Sequence, residues 1–161
     1  MDSDRAGAAY NIAMPSSNLY TQAVLDHSRA PRNFGALTAH THVADGANPL
    51  CGDTLHMELR CEDGRVAEMR FSGDACAIAK AAASMLSELA VDRSDGELAD
   101  LEQLFTSLVA GKIASHDRLG GLNAMRELAN HPVRQKCALL PFATLRAALA
   151  GQRSVTTEVI E

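Results

Sequence analysis

The sequence predicts an α+β domain in which a three-stranded antiparallel sheet is covered on one face by helices. Two observations lead to this fold class. Residues 54–61 and 65–72 carry alternating apolar side chains and flank the turn residues Glu62-Asp63-Gly64, a pattern typical of a β-hairpin. From residue 76 onward the apolar residues instead recur at helical spacing. Strands followed by helices indicate an α+β fold, because a sheet with one apolar face needs a helical cover.

The first elements along the chain are a helix and a weak strand. The helix is predicted over about residues 18–28, with Ser17 as its N-cap, and it ends before Pro31. A strand rich in His and Thr is predicted over residues 39–45, and it completes the sheet with the two strands of the hairpin.

The remaining elements are helices. Ser94 and Glu97 form a capping-box pattern, which predicts the start of a helix that ends near Ala110. Pro141 is expected to kink or restart the last helix, because proline lacks the N–H that the helix needs. The helices are predicted over residues 76–90, 94–110, 123–129 and 132–149.

The chain of 161 residues fits one domain with a sizeable core. Residues 1–16 are predicted to be a flexible leader, residues 17–150 a single domain, and residues 151–161 a flexible tail that begins at the capping residue Gly151.

Composition narrows the classes of function. The net charge of −5 and the pI near 5.6 argue against a nucleic-acid partner or an anionic membrane surface. The sequence contains no apolar run of about 18 residues, the length of a membrane-spanning helix. Residues 1–16 lack the basic and apolar regions of a signal peptide, so a cytoplasmic protein is expected.

Cys51 and Asp53 are the first candidate metal ligands. They lie two positions apart across Gly52, so they point the same way if the chain is extended on both sides of that glycine. A soft thiolate beside a hard carboxylate suits a divalent metal such as zinc. Taken alone, the pattern also fits a loop with one buried cysteine and one turn aspartate.

The other cysteines lie at different places in the predicted fold. Cys76 opens a helix, where free N–H groups and the helix dipole favour a thiolate. Cys137 lies in the last helix and also fits a core position. Cys61 ends the apolar alternation of its strand and is predicted to be a core thiol. The six histidines receive no ligand role, and those near element ends are expected to be surface or capping residues.

Three segments of the chain resemble the signature segments of the IscU/SufU/NifU N-terminal family of iron–sulfur cluster assembly proteins. They are Asn48-Pro-Leu-Cys-Gly-Asp53, Gly73-Asp-Ala-Cys-Ala-Ile-Ala-Lys-Ala-Ala-Ala-Ser84 and Arg134-Gln-Lys-Cys-Ala-Leu-Leu-Pro-Phe-Ala-Thr-Leu145. The resemblance covers about residues 19–149 and implies a SufE/IscU-like fold. It also implies a closed tetrahedral zinc site with four ligands. These ligands are Cys51, Asp53, Cys76 and Cys137.

Two departures point to the SufU-type branch of the family. The scaffold-type branch has a histidine before its third cysteine, whereas this chain has Lys136, which offers a metal no lone pair when protonated. The segment between Cys76 and Cys137 is also longer than in that branch. Arg134 lies one helical turn before Cys137, and we expect it and Lys136 to offset the negative charge of the ligands.

The SufU-type branch implies a zinc-bound protein that accepts persulfide sulfur from a cysteine desulfurase and passes it to a downstream scaffold or apo-protein. The resemblance favours Cys51 as the acceptor, and Cys137 is the alternative. Such a protein is a sulfur carrier or a zinc-dependent sulfurtransferase, so its status as an enzyme is left open. Two other functions are considered: a scaffold that binds a transient [2Fe–2S] cluster through Cys51, Cys76 and Cys137, and a structural zinc domain that binds partners.

Overall fold

The computed structural model describes residues 19–157, which form four α-helices, a 3₁₀-helical segment and a four-stranded sheet. The helices are α1 (Gln22–Arg29), α2 (Ala77–Ala90), α3 (Asp95–Val109) and α4 (Pro132–Leu149), and the 3₁₀ segment is Asp117–Asn130. The strands are β1 (His42–Asn48), β2 (Asp53–Glu62), β3 (Arg65–Ser72) and β4 (Ser154–Thr156). The predicted leader, residues 1–16, lies outside the described part of the chain.

The sheet has four strands in the order β3-β2-β1-β4, so the prediction of three strands was wrong. β1, β2 and β3 pair in antiparallel fashion as predicted, whereas β4 pairs parallel to β1. The new strand falls within the predicted flexible tail, and this pairing corrects that prediction for residues 154–156. Three residues are too few to show a recognisable alternation, so β4 depends on its partner strand rather than on a local pattern.

One face of the sheet packs against α2 and α4 and contributes to the core. Leu55, Met57 and Leu59 of β2 are buried as their alternation predicts, while Thr54 of the same strand is exposed on the other face. The helical cover of one sheet face is therefore confirmed. Within residues 19–157, no helix is both long and apolar enough to cross a membrane.

Local signals at the helix ends are confirmed in part. Ser94 caps α3, and its side chain and that of Glu97 accept hydrogen bonds from each other's backbone N–H, as in the predicted capping box. α4 starts at Pro132 as expected and continues through Pro141 without a restart. α1 begins later than predicted, and Thr21 is its N-cap.

β1 is displaced by three residues from the predicted strand, and this displacement positions the candidate site. The strand covers His42–Asn48 rather than residues 39–45, and its last residue, Asn48, pairs with Asp53 at the start of β2. Gly46 allows β1 to approach α4 closely, because a Cβ there would lie 2.0 Å from Thr144 Oγ1. The end of β1 and the β1–β2 turn therefore lie beside α4.

Candidate metal centre

The β1–β2 turn presents the first two predicted ligands. The N–H groups of Cys51 and Gly52 donate to the Asn48 carbonyl at 3.2 and 2.9 Å, which closes the turn directly after Pro49. Gly52 has a φ of +75°, a conformation that glycine adopts without strain. Beyond the turn, Asp53 begins β2 and its side chain is buried, whereas the Cys51 side chain is half-buried. The turn thus places one thiol and one carboxylate at the end of the sheet.

Cys76 reaches the same place from the start of α2. It is the N-cap residue of that helix, and its sulfur accepts a hydrogen bond from the Ala79 N–H at 3.4 Å. The Cys76 N–H donates to Asp53 Oδ1 at 2.8 Å, and the Cys76 Sγ lies 3.8 Å from Asp53 Oδ2. These contacts join the beginning of α2 to the beginning of β2.

Cys137 completes the cluster from α4, where its side chain is fully buried. Its Sγ lies 3.3 Å from the Sγ of Cys51. One ligand atom from each of Cys51, Asp53 and Cys137 lies within 4.8 Å of the other two. Residues that are 86 positions apart in the sequence therefore meet at one point.

The spacing and the chemistry of these donors suit a tetrahedral zinc ion. Zinc–sulfur bonds of about 2.3 Å separate neighbouring sulfurs by about 3.8 Å in tetrahedral geometry. The Cys51–Cys137 and Cys76–Asp53 pairs are 3.3 and 3.8 Å apart, so small adjustments bring them to that spacing. Three thiols and one carboxylate also form a donor set typical of zinc rather than of magnesium or calcium.

A hydrogen bond between Cys76 and Cys137 shifts the pKa values of these two thiols in opposite directions. The hydrogen bond with Cys137 lowers the pKa of Cys76 to about 6, against the opposing effect of burial, and the Ala79 N–H lowers it further. The same hydrogen bond, together with burial and the contact with Cys51, raises the pKa of Cys137. Between these two thiols, the hydrogen bond therefore favours the proton on Cys137 and the negative charge on Cys76.

The two predicted cations lie in the first half of α4, and Arg134 contacts the cluster. Burial would lower the pKa of Arg134, but electrostatic interactions with the cluster and a side-chain hydrogen bond to Cys137 raise it overall. Lys136 directly precedes Cys137 and is half-buried. Arg134 is thus placed where it can offset ligand charge.

Cys61 lies outside this cluster, at the far end of β2. A bulge between Arg60 and Cys61 interrupts the pairing with β3. The thiol, predicted to be a core thiol, is half-buried and packs against the core. Burial raises the pKa of the Cys61 thiol. Such a thiol is a poor nucleophile at neutral pH.

Two histidines differ in how well the sequence indicated their surroundings. His116 caps the 3₁₀ segment by accepting from the Arg118 N–H, in agreement with the expected capping role. His27 was expected near the surface, but its side chain is only 13% exposed and its Nδ1 lies 2.7 Å from Ser84 Oγ. The partner of His27 is 57 residues away, so local sequence could not reveal it.

Asn48 is a residue of the site that the sequence analysis did not assign. Its side chain is fully buried, and its Nδ2 lies 3.4 Å from Asp53 Oδ2 and 3.5 Å from Cys137 Sγ. The only local signal was its place before Pro49 at the start of the first signature segment. Its burial depends on α4 and the C-terminal strand, which the local sequence does not specify.

Comparison with protein families gives one match over nearly the whole described chain. The family described as "NifU-like N terminal domain" matches residues 19–156. Among solved structures, an N-terminal domain of a nitrogen-fixing NifU-like protein from Brucella abortus superposes with a TM-score of 0.77. That superposition covers 83% of this chain and 93% of the other, at 20% identity, and it supports the fold alone.

Two relatives are similar to this chain over most of their length. This chain is 33% identical over 136 residues to the zinc-dependent sulfurtransferase SufU of Bacillus subtilis, which covers 83% of this chain and 91% of the relative. It is 30% identical over 131 residues to the iron–sulfur cluster assembly scaffold protein IscU of Thermotoga maritima, which covers 81% of this chain and 92% of the relative. One relative is named as a sulfurtransferase and the other as a scaffold, and this chain is nearly equally similar to both.

Proposed function

This chain belongs to the NifU-like N-terminal domain family of iron–sulfur cluster assembly proteins, and we propose that within it the chain is a zinc-bound sulfur acceptor. In this role it takes persulfide sulfur from a cysteine desulfurase and passes it to a downstream scaffold or apo-protein. The observation that carries the proposal is that ligand atoms of Cys51, Asp53 and Cys137 lie close together. The Cys76 sulfur also contacts the Asp53 carboxylate. The similarity to a protein named as a zinc-dependent sulfurtransferase supports it.

Zinc is the resident metal of this proposal. Cys51, Asp53, Cys76 and Cys137 would hold it, and when bound it would keep the thiols deprotonated at neutral pH. Arg134, which hydrogen-bonds to Cys137, and Lys136, which directly precedes it, would offset the excess negative charge of four anionic ligands.

Cys51 is the proposed acceptor because it is the more accessible of the two candidates. Its side chain is half-buried on a turn next to Leu50, which is 67% exposed, whereas Cys137 is 0% exposed within α4. Space is also open around the turn, because a Cβ at Gly52 would have no neighbour within 4 Å. A turn of this kind lets the Cys51 thiol move toward a docked partner. Cys137 lacks this freedom because it lies within the rigid helix α4.

The transfer is a thiolate–persulfide exchange. The Cys51 thiolate attacks the terminal sulfur of the desulfurase persulfide, and a new sulfur–sulfur bond forms on Cys51 as the bond on the desulfurase breaks. The desulfurase cysteine leaves as a thiolate, so charge balances and no external oxidant or reductant is needed. The product is a persulfide on Cys51, from which the sulfur passes to the next acceptor.

A scaffold role is the second candidate, favoured by the similarity to a relative named as an IscU scaffold. A [2Fe–2S] cluster would then be cargo held by Cys51, Cys76 and Cys137, since thiolates are the usual ligands of such clusters. Lys136 weighs against this role, because a protonated amine cannot donate a lone pair to iron. A cytoplasmic location and the lack of a nucleic-acid partner remain predictions from composition.

Sulfur acceptance is tested by adding the protein to a cysteine desulfurase and measuring turnover. We expect the wild-type chain to accelerate turnover, Cys51→Ala to abolish the effect, and the matched variant Cys61→Ala to retain it. The persulfide, trapped by alkylation and mapped by mass spectrometry, should lie on Cys51. A label confined to Cys76 or Cys61 would contradict the proposal.

Metal analysis of the purified chain separates the alternatives. One zinc per chain supports the acceptor role, whereas substoichiometric iron with sulfide supports the scaffold. Zinc without any effect on desulfurase turnover would favour a structural zinc domain.

A further inference from the structure

The side-chain amide of Asn48 is fully buried and lies next to the candidate metal centre. Asn48 is the last residue of β1, and its Nδ2 faces two of the proposed ligand atoms, Asp53 Oδ2 at 3.4 Å and Cys137 Sγ at 3.5 Å. The ligand set carries more negative charge than a divalent ion neutralises, so N–H donors to the ligands stabilise it. The Asn48 amide supplies two such N–H groups in the core, where water does not compete.

The other end of this amide is held by Thr157. The Thr157 side chain is 1% exposed, and its Oγ1 donates a hydrogen bond to Asn48 Oδ1 at 2.9 Å. An amide has a donor end and an acceptor end, and a hydroxyl proton directed at the oxygen fixes which end is which. If the amide turned over, its oxygen would face the Asp53 carboxylate and its N–H groups would leave both ligands.

The C-terminal strand brings Thr157 to this position. β4 pairs in parallel with β1, and Thr156 lies opposite Ala47, so Thr157 follows beside Asn48. The Asp45 N–H also donates to the Arg153 carbonyl at 2.8 Å and anchors the start of the same strand. The three-residue strand β4 thus brings the buried hydroxyl of Thr157 next to Asn48, which lies 109 positions earlier in the sequence.

We propose that Asn48 and Thr157 are positioning residues of the metal centre. Thr157 acts through the amide of Asn48, which in turn orients Asp53 and Cys137. The pairing of β4 with β1 therefore controls how firmly the centre retains its ion. This inference rests on the proposed function in one respect, namely that Asp53 and Cys137 are metal ligands.

The test uses the zinc-loaded full chain and begins with three single variants. Thr157→Val removes the hydroxyl at nearly constant shape, and Thr157→Ser keeps it. Thr144→Val is the matched control, because Thr144 is an equally buried threonine whose hydroxyl donates to the Leu140 carbonyl of its own helix. Zinc release into an excess of a chromogenic chelator is followed as a rate, and the visible spectrum of the cobalt-substituted protein reports ligand geometry.

We expect Thr157→Val to release zinc about ten times faster, at the lower end of the effects known for groups that orient metal ligands. Its cobalt spectrum should change, while Thr157→Ser and Thr144→Val keep the wild-type spectrum and rate. Because Thr157 acts through Asn48, adding Thr157→Val to Asn48→Ala should cause no further acceleration. An unchanged rate in Thr157→Val, an equal acceleration in Thr144→Val, or fully additive effects with Asn48→Ala would overturn the inference.

A metal-free readout separates this inference from the proposed function. The side-chain amide protons of Asn48, assigned by their loss in Asn48→Ala, should exchange slowly with solvent in the wild type and in Thr157→Ser, and quickly in Thr157→Val. If the wild-type chain bound no zinc while this pattern held, the proposed function would fail, whereas the orientation of the Asn48 amide by Thr157 would stand. Fast exchange in the wild type would overturn the inference itself.

Discussion

His56 shows how a single side chain on the outer face of the sheet links two strands. Its Nδ1 lies 2.7 Å from Asp45 Oδ1 on β1, and its Nε2 lies 2.9 Å from Glu58 Oε2 on β2. The hydrogen bond with Asp45, and then that with Glu58, raises the pKa of His56. Glu58 also accepts from the Leu37 N–H, and this bond, followed by that with His56, lowers the pKa of Glu58.

These shifts give the stability of the protein a defined pH dependence. A raised pKa in the folded state means that the His56 contribution is complete below the unfolded value of 6.5 and is lost as pH rises through the folded value. We expect His56→Gln to reduce the free energy of unfolding more at about pH 6 than at about pH 9. The effect should be small because the side chain is 37% exposed.

Chemical denaturation of both proteins at the two pH values checks this expectation. His42→Gln is the control, because the His42 ring contacts the hydroxyl of Thr41 rather than a carboxylate. Equal losses for His56→Gln at both pH values would show that the bridge is not charged.

At the residue scale, the sequence offered chemical signals but no information on which distant side chains lie together. Cys51 and Asp53 could be proposed from residue type and spacing, and the distant Cys137 only through the resemblance of three segments. Asn48 and Thr157 carried no such signal, because asparagine before proline and threonine near a chain end are ordinary surface residues. Their importance arises from burial, which only the folded chain reveals.

β1 and α4 approach each other closely at Gly46. At Gly46 a Cβ would lie 2.0 Å from Thr144 Oγ1 and 3.2 Å from Leu140 Cδ1. We expect Gly46→Ala to lower the free energy of unfolding by about 1–3 kcal/mol, the usual cost of overpacking a core. Urea denaturation measures the loss.

A second substitution tests the cause of that loss. Thr144→Ala removes the atom that the new methyl group would meet, so the double variant should be more stable than Gly46→Ala alone. Gly96→Ala in α3 is the control, since a Cβ there has no neighbour within 4 Å and stability should be unchanged or slightly higher. A double variant no more stable than Gly46→Ala would mean that Thr144 does not set the limit.

At the scale of elements, periodic segments could be predicted and short ones could not. The hairpin of β2 and β3 and the capping box at Ser94 were readable because their signals are local. The boundaries of β1 were wrong by three residues, because Gly46-Ala47-Asn48 has little intrinsic strand preference and is held by its neighbours. β4 was missed for the same reason, since a three-residue strand exists only by pairing.

The whole molecule places its proposed metal ligands at the junction of three separate elements. Cys51 and Asp53 come from the β1–β2 turn and the start of β2, Cys76 from the start of α2, and Cys137 from α4. An ion held there cross-links the sheet to both covering helices. Such an ion would therefore bind the folded chain far better than the unfolded one, and its free energy of binding would add to stability.

Removal of the metal should accordingly lower the melting temperature. An ion present at a hundred times its dissociation constant contributes about 2.7 kcal/mol, which corresponds to roughly 5–10 °C for a domain of this size. We expect that decrease on treatment with a chelator, measured by scanning calorimetry, and its reversal by added zinc. Cys61→Ala should show the same decrease, and Cys137→Ala should show none, since that variant has already lost a ligand.

The capping role of Cys76 gives the molecule a built-in reporter. The sulfur that accepts the Ala79 N–H at the start of α2 is the same atom that is proposed to bind the ion. A metal bond withdraws electron density from that sulfur and weakens the cap. The backbone amide resonance of Ala79 should therefore shift whenever the centre fills or empties, so that loading, sulfur transfer and release can be followed in real time without any added label.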